Sequence, residues 1–107
     1  MKFQTKQEFE LYALMYVASL DMKTSKEELK MMKAKGSDEM LQDVAEMFEQ
    51  DNDAQRVETI VQAAAEFLKT EEQKTEFFDD LKKMAAADST AHIESASLSI
   101  LERMIML

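Results

Sequence analysis

Three carboxylates at related positions are the residues of this chain whose types and spacing point to chemistry. Asp21 follows an apolar helical pattern, Glu28 comes seven residues later, and Asp88 follows a second pattern of the same kind late in the chain. If the two segments pair in the fold, these carboxylates converge. Carboxylate oxygens are ligands that Ca²⁺ and Mg²⁺ take in proteins, so the set predicts a divalent-cation site completed by waters and loop carbonyls.

The same residues also fit a structural role. An aspartate at the end of a helix commonly turns the chain, or accepts hydrogen bonds from the free N–H groups of the next helix. Ser25 and Glu28 have the spacing of a capping box, in which the glutamate reaches back to the start of its own helix. The sequence leaves both roles open, and it indicates no cofactor other than Ca²⁺ or Mg²⁺.

Other catalytic and metal chemistry has little support in the composition. The chain has no cysteine and a single histidine, His92, which removes zinc–sulfur sites and leaves no histidine cluster. The run Asp51-Asn52-Asp53 does not continue as a calcium loop, because Arg56 stands where such a loop needs glycine. The sequence contains no Gly-rich phosphate loop and no nucleophile motif. We therefore predict that the protein is not an enzyme.

The charge balance limits the classes of partner. The formal net charge of -9 comes from 22 acidic and 13 basic residues. Nucleic acid and anionic lipid need a cationic surface, so we expect no direct nucleic-acid binding. The apolar run from Leu11 to Leu20 is too short to span a bilayer, so we expect no membrane insertion. Glu8 and Glu10 precede this run in place of the positive region of a signal peptide, which favours a cytoplasmic location.

The elements that position these residues are all predicted helices. The chain has no proline and one glycine, so little in it breaks helices or forms tight β-turns. N-cap and capping-box patterns mark the helix starts, and apolar stripes with helical spacing mark the buried faces. The predicted caps are Thr5, Ser25, Ser37, Asp53 and Thr70, Gly36 is the predicted C′ residue of the second helix, and a last helix covers about His92 to Met106.

A helix–Asp-loop–helix unit occurs twice. Leu11 to Asp21 and Phe78 to Asp88 carry apolar residues at equivalent positions, and each continues through a short polar loop into another helix. The first segment is apolar on almost every side, which predicts a central helix. We therefore predict an all-α fold for residues 1–107, a compact single-domain bundle of about five to seven helices in which the repeated units pair.

The two units resemble the TerB-like family of small helical domains, named after bacterial tellurite resistance. The matching residues are Val17-Ala18-Ser19-Leu20-Asp21 with Ser25 to Leu29, and Met84 to Asp88 with Ile93 and Leu98. The family pattern has a glycine after the aspartate, which Met22 and Ser89 replace here. It also has a glutamate seven places after the aspartate, and that glutamate is kept in the first unit alone, as Glu28.

The resemblance implies a non-catalytic interaction or scaffold domain in a bacterial stress or metal-resistance setting. Family members have been proposed to hold a metal ion at these acidic positions, which correspond here to Asp21, Glu28 and Asp88. The function that the resemblance implies should depend on the region around Asp21.

An acidic middle segment supports a second interpretation. Residues 38–58 hold eight acidic side chains against Arg56 alone, and Asp43, Glu46 and Glu49 lie opposite the apolar stripe of their helix. Such a segment suits an acidic decoy or inhibitor that binds a basic surface of another protein. Neutralising those three carboxylates should abolish the binding of such a partner.

Two further features concern partners. Lys26, Lys30 and Lys33 lie on one face of the second predicted helix, as a solvated face or as a basic patch that meets a partner. The ten methionines and the apolar end Ile105-Met106-Leu107 suit gap-filling in the core or adaptable contacts. A homodimer through these residues is the third interpretation.

Overall fold

Helices make up the regular structure of this protein. The structure is a computed structural model that describes residues 3–20, 26–86 and 99–105, apart from the side chains of residues 20, 27, 28 and 84–86. It contains α1 (Lys6–Leu20), α2 (Lys26–Lys35), α3 (Asp38–Gln50), α4 (Asp53–Phe67), α5 (Glu71–Ala86) and a short α6 over 99–105. These ranges contain no strand, and the predicted all-α class is confirmed.

Capping boxes start α1 and α5 as the sequence predicts. At α1, the Glu8 N–H donates to the Thr5 hydroxyl at 3.3 Å, and the Thr5 N–H donates to the Glu8 carboxylate at 3.0 Å. At α5, Thr70 and Gln73 make the same exchange at 3.1 and 3.2 Å. Each box satisfies N–H groups that would otherwise lack a partner inside the helix, and a good cap is worth about 1 kcal/mol.

The junction between α3 and α4 differs from the prediction by one residue. Ser37 caps α3 as expected, with its hydroxyl accepting from the Met40 N–H at 3.1 Å. The N-cap of α4 is Asn52 rather than Asp53, and it forms a capping box with Gln55. The prediction of Asp53 as the cap is wrong, because Asp53 already belongs to the first turn of α4. Its negative charge interacts favourably with the helix dipole there.

Helix α1 lies at the centre of the bundle, as its all-round apolar pattern predicts. It contacts α2, α3, α4 and α5. The ring of Phe9 stacks between Phe67 and Phe77, with centroids 5.6 and 4.9 Å apart. The radius of gyration is 12.6 Å, close to the value of about 13 Å for one domain of this length. The described helices therefore share one core, and none of them has the length and apolar character to cross a membrane.

Gly36 directly follows α2 as predicted, but it does not have the positive φ that usually explains a glycine at this position. The reason for glycine is space. A Cβ at this position would lie 2.8 Å from the sulfur of Met40 and 3.0 Å from a methyl carbon of Leu11. The small residue therefore lets the chain pass close to α1 before α3 begins.

The short helix α6 packs against the rest of the bundle through its buried face. Leu101 and Ile105 are buried, and Lys82 of α5 forms an ion pair with Glu102 at 3.5 Å. The predicted start of this helix at His92 lies outside the described residues. The same holds for both Asp loops, so the predicted pairing of the repeated units stays a prediction.

Candidate functional site

The predicted cation site falls largely outside the part of the chain that the structure describes. Asp21 and Asp88 lie outside the described ranges, and Glu28 belongs to α2 without a described side chain. Among the described residues, no group of three or more acidic, histidine or cysteine side chains is placed to hold a metal ion. The Asp21, Glu28 and Asp88 site therefore stays a prediction.

The predicted acidic surface lies on α3 and is exposed. Asp43, Glu46 and Glu49 all face solvent. Successive members are three residues apart, so neighbouring carboxylates lie one above the other on the helix. The opposite side of α3 is buried through Val44 and Phe48. We call these three carboxylates the acidic row.

The acidic row belongs to a segment that carries almost all of the net charge. Residues 36–68 hold nine acidic side chains and one basic side chain, and the rest of the chain is nearly balanced. The other six acidic residues of this segment lie on α3, on α4 or in the junction between them. Acidic charge is therefore concentrated on one part of the molecule, which raises the local concentration of cationic groups.

The one basic residue of that segment, Arg56, is engaged inside the fold. Its Nε and Nη2 donate to the Phe48 carbonyl at 3.1 and 2.9 Å, close to the end of α3. Its guanidinium lies 3.7 Å from the centroid of the Phe48 ring, and Nη1 pairs with Asp53 at 3.2 Å. Within the described residues, Arg56 pairs with Asp53 and forms no ion pair with the acidic row.

A groove between α1, α2 and α3 opens at the end of the acidic row. It encloses about 170 Å³, and the residues that line it are Met15, Ala18, Ser19, Met32, Ala45, Phe48 and Glu49. Glu49 belongs to both the row and the groove. The wall is otherwise mostly apolar, and unbranched methionine side chains adapt to differently shaped partners. We call this feature the methionine groove.

The methionine groove is absent from the sequence predictions because it is assembled from three helices. Met15, Met32 and Phe48 are well separated in the chain. Their helical stripes predict burial, and they do not predict which buried faces leave a gap. The signal that could have pointed to it is the high content of methionine, a residue enriched on adaptable binding surfaces.

The predicted basic stripe also lies at the surface. Lys26, Lys30 and Lys33 of α2 are exposed. Leu29, on the same helix, is 43% exposed and precedes the groove residue Met32 by three positions. The lysines lie on α2 and the acidic row lies on α3, and none of the three lysines lines the groove.

Lys35, next to that stripe, has a different and internal role. Its ammonium contacts Glu10 of α1 at 2.9 Å and Asp80 of α5 at 2.6 Å. Burial lowers the pKa of Lys35, but the hydrogen bonds and charges of Asp80 and Glu10 outweigh it, so the net pKa is raised. Lys35 stays charged and joins three helices.

The two tyrosines of α1 are also structural. The Tyr12 hydroxyl donates to the Asp51 carboxylate at 2.5 Å, which ties α1 to the α3–α4 junction. Burial first, and then the hydrogen bond and charge of Asp51, raise the pKa of Tyr12. Burial and the charge of Asp53 raise the pKa of Tyr16. Groups held protonated in this way do not exchange protons near neutral pH.

Comparisons with known proteins give no match. No protein-family model matches the chain, and neither the curated proteins nor the solved structures contain a significant match. The TerB-like resemblance therefore stays a prediction that rests on its own residues.

Proposed function

We propose that the protein is a non-catalytic binding module that takes up a basic amphipathic helix of a partner protein on the α3 surface. The observation that carries the proposal is that the acidic row ends at Glu49, inside the methionine groove. A partner helix with one cationic side and one apolar side would complement this surface, because its cations meet the acidic row and its apolar side meets the groove.

Charge would guide the approach of that partner. The carboxylates of Asp43, Glu46 and Glu49 are exposed, and the one cation of the segment, Arg56, is engaged at the α3–α4 junction. Exposed charge of one sign steers an oppositely charged partner and makes the association rate depend on salt. The acidic row thus supplies orientation and speed more than affinity.

The methionine groove would supply the anchor. A volume of about 170 Å³ accommodates one apolar side chain of the partner rather than an entire helix. Apolar anchors in desolvated pockets carry most of the free energy of protein association, while charged rims contribute less. Met15 and Met32 would adjust to the shape of that anchor.

This proposal is common to two of the interpretations that the sequence leaves open. An interaction module of the TerB-like kind and an acidic decoy both need an exposed surface that a protein partner recognises. The acidic row favours a basic partner in either case. A stress or metal-resistance setting is proposed on the resemblance alone.

Binding of a synthetic helix with lysines on one face and leucines on the other tests the acidic row. Fluorescence anisotropy should show saturable binding that weakens when salt rises from about 50 to about 300 mM, because screening shortens the reach of exposed charges. The triple variant Asp43→Asn/Glu46→Gln/Glu49→Gln should bind at least about tenfold more weakly.

A matched triple variant controls for net charge. Glu66→Gln/Glu76→Gln/Asp79→Asn removes the same number of exposed carboxylates from α4 and α5. This control should bind like the original protein. Equal weakening by both triple variants would mean that total charge, and not the acidic row, drives the binding, and the proposal would fail.

Filling the groove separates the anchor from the charges. Ala45 is half-buried in the groove wall, and Ala45→Phe should fill the space while leaving the acidic row intact. We expect binding to weaken with an unchanged relative dependence on salt. Ala54→Phe, at an exposed alanine of α4, is the control and should bind normally. Normal binding by Ala45→Phe, with helix content retained in circular dichroism, would contradict the role of the groove.

A further inference from the structure

A second cavity has no residue of the acidic row in its lining. It encloses about 290 Å³. Its lining residues are Val61, Ala64, Ala65, Leu68, Lys69, Lys74, Met104 and Ile105. The walls come from α4, from the α4–α5 connection, from α5 and from α6. We call this feature the lysine cleft.

The lysine cleft combines apolar walls with two cations. Lys69 stands in the α4–α5 connection, and Lys74 lies in the first part of α5. Within the described residues, neither ammonium forms an ion pair. The cleft thus presents two cations beside apolar side chains. They complement an anion.

The apolar surface continues from the cleft onto α6. Three large apolar side chains of the described residues are strongly exposed, and two of them, Ile100 at 61% and Met104 at 47%, lie one helical turn apart on α6. Met104 itself lines the cleft. Apolar surface that remains in contact with water beside a cavity marks a binding surface more often than isolated exposed side chains do.

We propose that the lysine cleft binds an amphipathic anion, a carboxylate that carries a medium-length alkyl chain. The alkyl chain would lie against Val61, Leu68 and Met104, and the carboxylate would meet the ammonium groups of Lys69 and Lys74. The volume is near the lower end of small-molecule sites, which suits one alkyl chain rather than a protein helix. This site is separate from the acidic row and goes beyond the proposed function.

Calorimetric titration with sodium decanoate, below the concentration at which it forms micelles, tests the site. We expect saturable binding with one site per chain. Decyltrimethylammonium, which keeps the alkyl chain and reverses the charge, should bind at least about tenfold more weakly, and butyrate should also bind weakly because it buries little apolar area. Equal binding of decanoate and decyltrimethylammonium would overturn the proposal.

Variants locate the binding. Lys69→Gln/Lys74→Gln should weaken decanoate binding by about tenfold or more, and Ala65→Phe, at an exposed alanine of the cleft wall, should block it. Lys26→Gln/Lys30→Gln removes two exposed lysines from α2 and should leave binding unchanged. Unchanged binding in the first two variants would place decanoate elsewhere and refute the lysine cleft.

A second copy of the chain is the competing occupant. If sedimentation shows that the ligand-free protein is a dimer, and Ile100→Gln/Met104→Gln makes it monomeric, then this surface is an interface between copies and the ligand proposal is overturned. A monomer that binds decanoate in the ratio of one to one supports the proposal. The proposed α3 function is unaffected by either result, because its residues lie outside the cleft.

Discussion

Lys35 is a residue whose charge serves the fold. Its ammonium pairs with Glu10 and Asp80, and the Glu10 side chain is only 16% exposed. Lys35→Met would leave two carboxylates without their common partner, one of them largely buried. We expect the free energy of unfolding to fall by about 1–3 kcal/mol, measured by urea denaturation at neutral pH.

Lys33→Met is the matched control for that experiment. Lys33 lies on the same helix and is exposed. Its replacement should change stability by no more than about 0.5 kcal/mol. If both variants lose the same stability, the loss reflects helix charge in general, and the bridge between three helices would not be the cause.

The raised pKa of Tyr12 makes the free energy of unfolding depend on pH in the alkaline range. Its pKa is raised in the folded protein, so the folded state keeps the phenol proton after the unfolded state has lost it. The stability that this group contributes is present below about pH 10, the ordinary tyrosine pKa. It is lost as the pH rises from there through the folded pKa.

Tyr12→Phe isolates this contribution. The variant should lose about 1 kcal/mol at pH 7 through the missing hydrogen bond to Asp51. Between pH 9 and pH 11 its unfolding free energy should fall less steeply than that of the original protein, in denaturation curves recorded at each pH. Curves of equal steepness would show that Tyr12 titrates normally in the folded protein.

At the scale of elements, Arg56 fixes the junction between α3 and α4. Its two hydrogen bonds to the Phe48 carbonyl and its stacking on the Phe48 ring depend on the planar guanidinium. Arg56→Lys keeps the charge but loses this forked geometry. We expect a loss of about 1–2 kcal/mol in thermal or urea unfolding. Stability equal to that of the original protein would show that charge alone suffices.

Helix α3 places negative charge where its own dipole opposes it. Glu49 lies in the last turn of α3, near the negative end of the helix dipole, and no basic residue stands in that turn. Glu49→Gln should therefore raise stability by about 0.3–1 kcal/mol in urea denaturation while weakening the binding of the basic helix. A loss of stability in this variant would indicate a structural role for Glu49 and contradict its proposed function.

The sequence predicts elements well wherever their ends carry local signals. Thr5, Ser37 and Thr70 cap helices as predicted, because a capping hydrogen bond joins residues three apart in the chain. The error at Asp53 arises because Asn52 and Asp53 are both good caps, and the sequence alone does not decide between neighbours. The sequence predicts Gly36 from its place after a helix, whereas the structure leaves no room for a Cβ beside Met40 and Leu11.

At the scale of the whole molecule, the charges of the candidate site are predictable and its cavity is not. Asp43, Glu46 and Glu49 are visible as one helix face in the sequence, and the structure exposes all three. The methionine groove depends on how α1, α2 and α3 pack together. Lys35 likewise bridges to Glu10 and Asp80, which lie 25 and 45 positions away in the chain. Its place on α2 opposite Lys26, Lys30 and Lys33 is the sequence feature that indicates an internal role.

Charge is also unevenly distributed over the whole molecule. Residues 36–68 carry nearly all of the net negative charge, while the lysine cleft presents the two cations Lys69 and Lys74. The proposed helix partner and the proposed alkyl carboxylate therefore differ in charge and should bind independently of each other. Each surface can be altered without the other.

Methionine methyl NMR tests the central claim most directly, because both surfaces carry methionines. With the methyl groups labelled with carbon-13, titration with the lysine–leucine helix should shift the signals of Met15 and Met32 and leave the signal of Met104 in place. The triple variant Asp43→Asn/Glu46→Gln/Glu49→Gln should need about tenfold more helix to give the same shifts. Shifts confined to Met104, or spread evenly over all methionines, would contradict binding at the α3 surface.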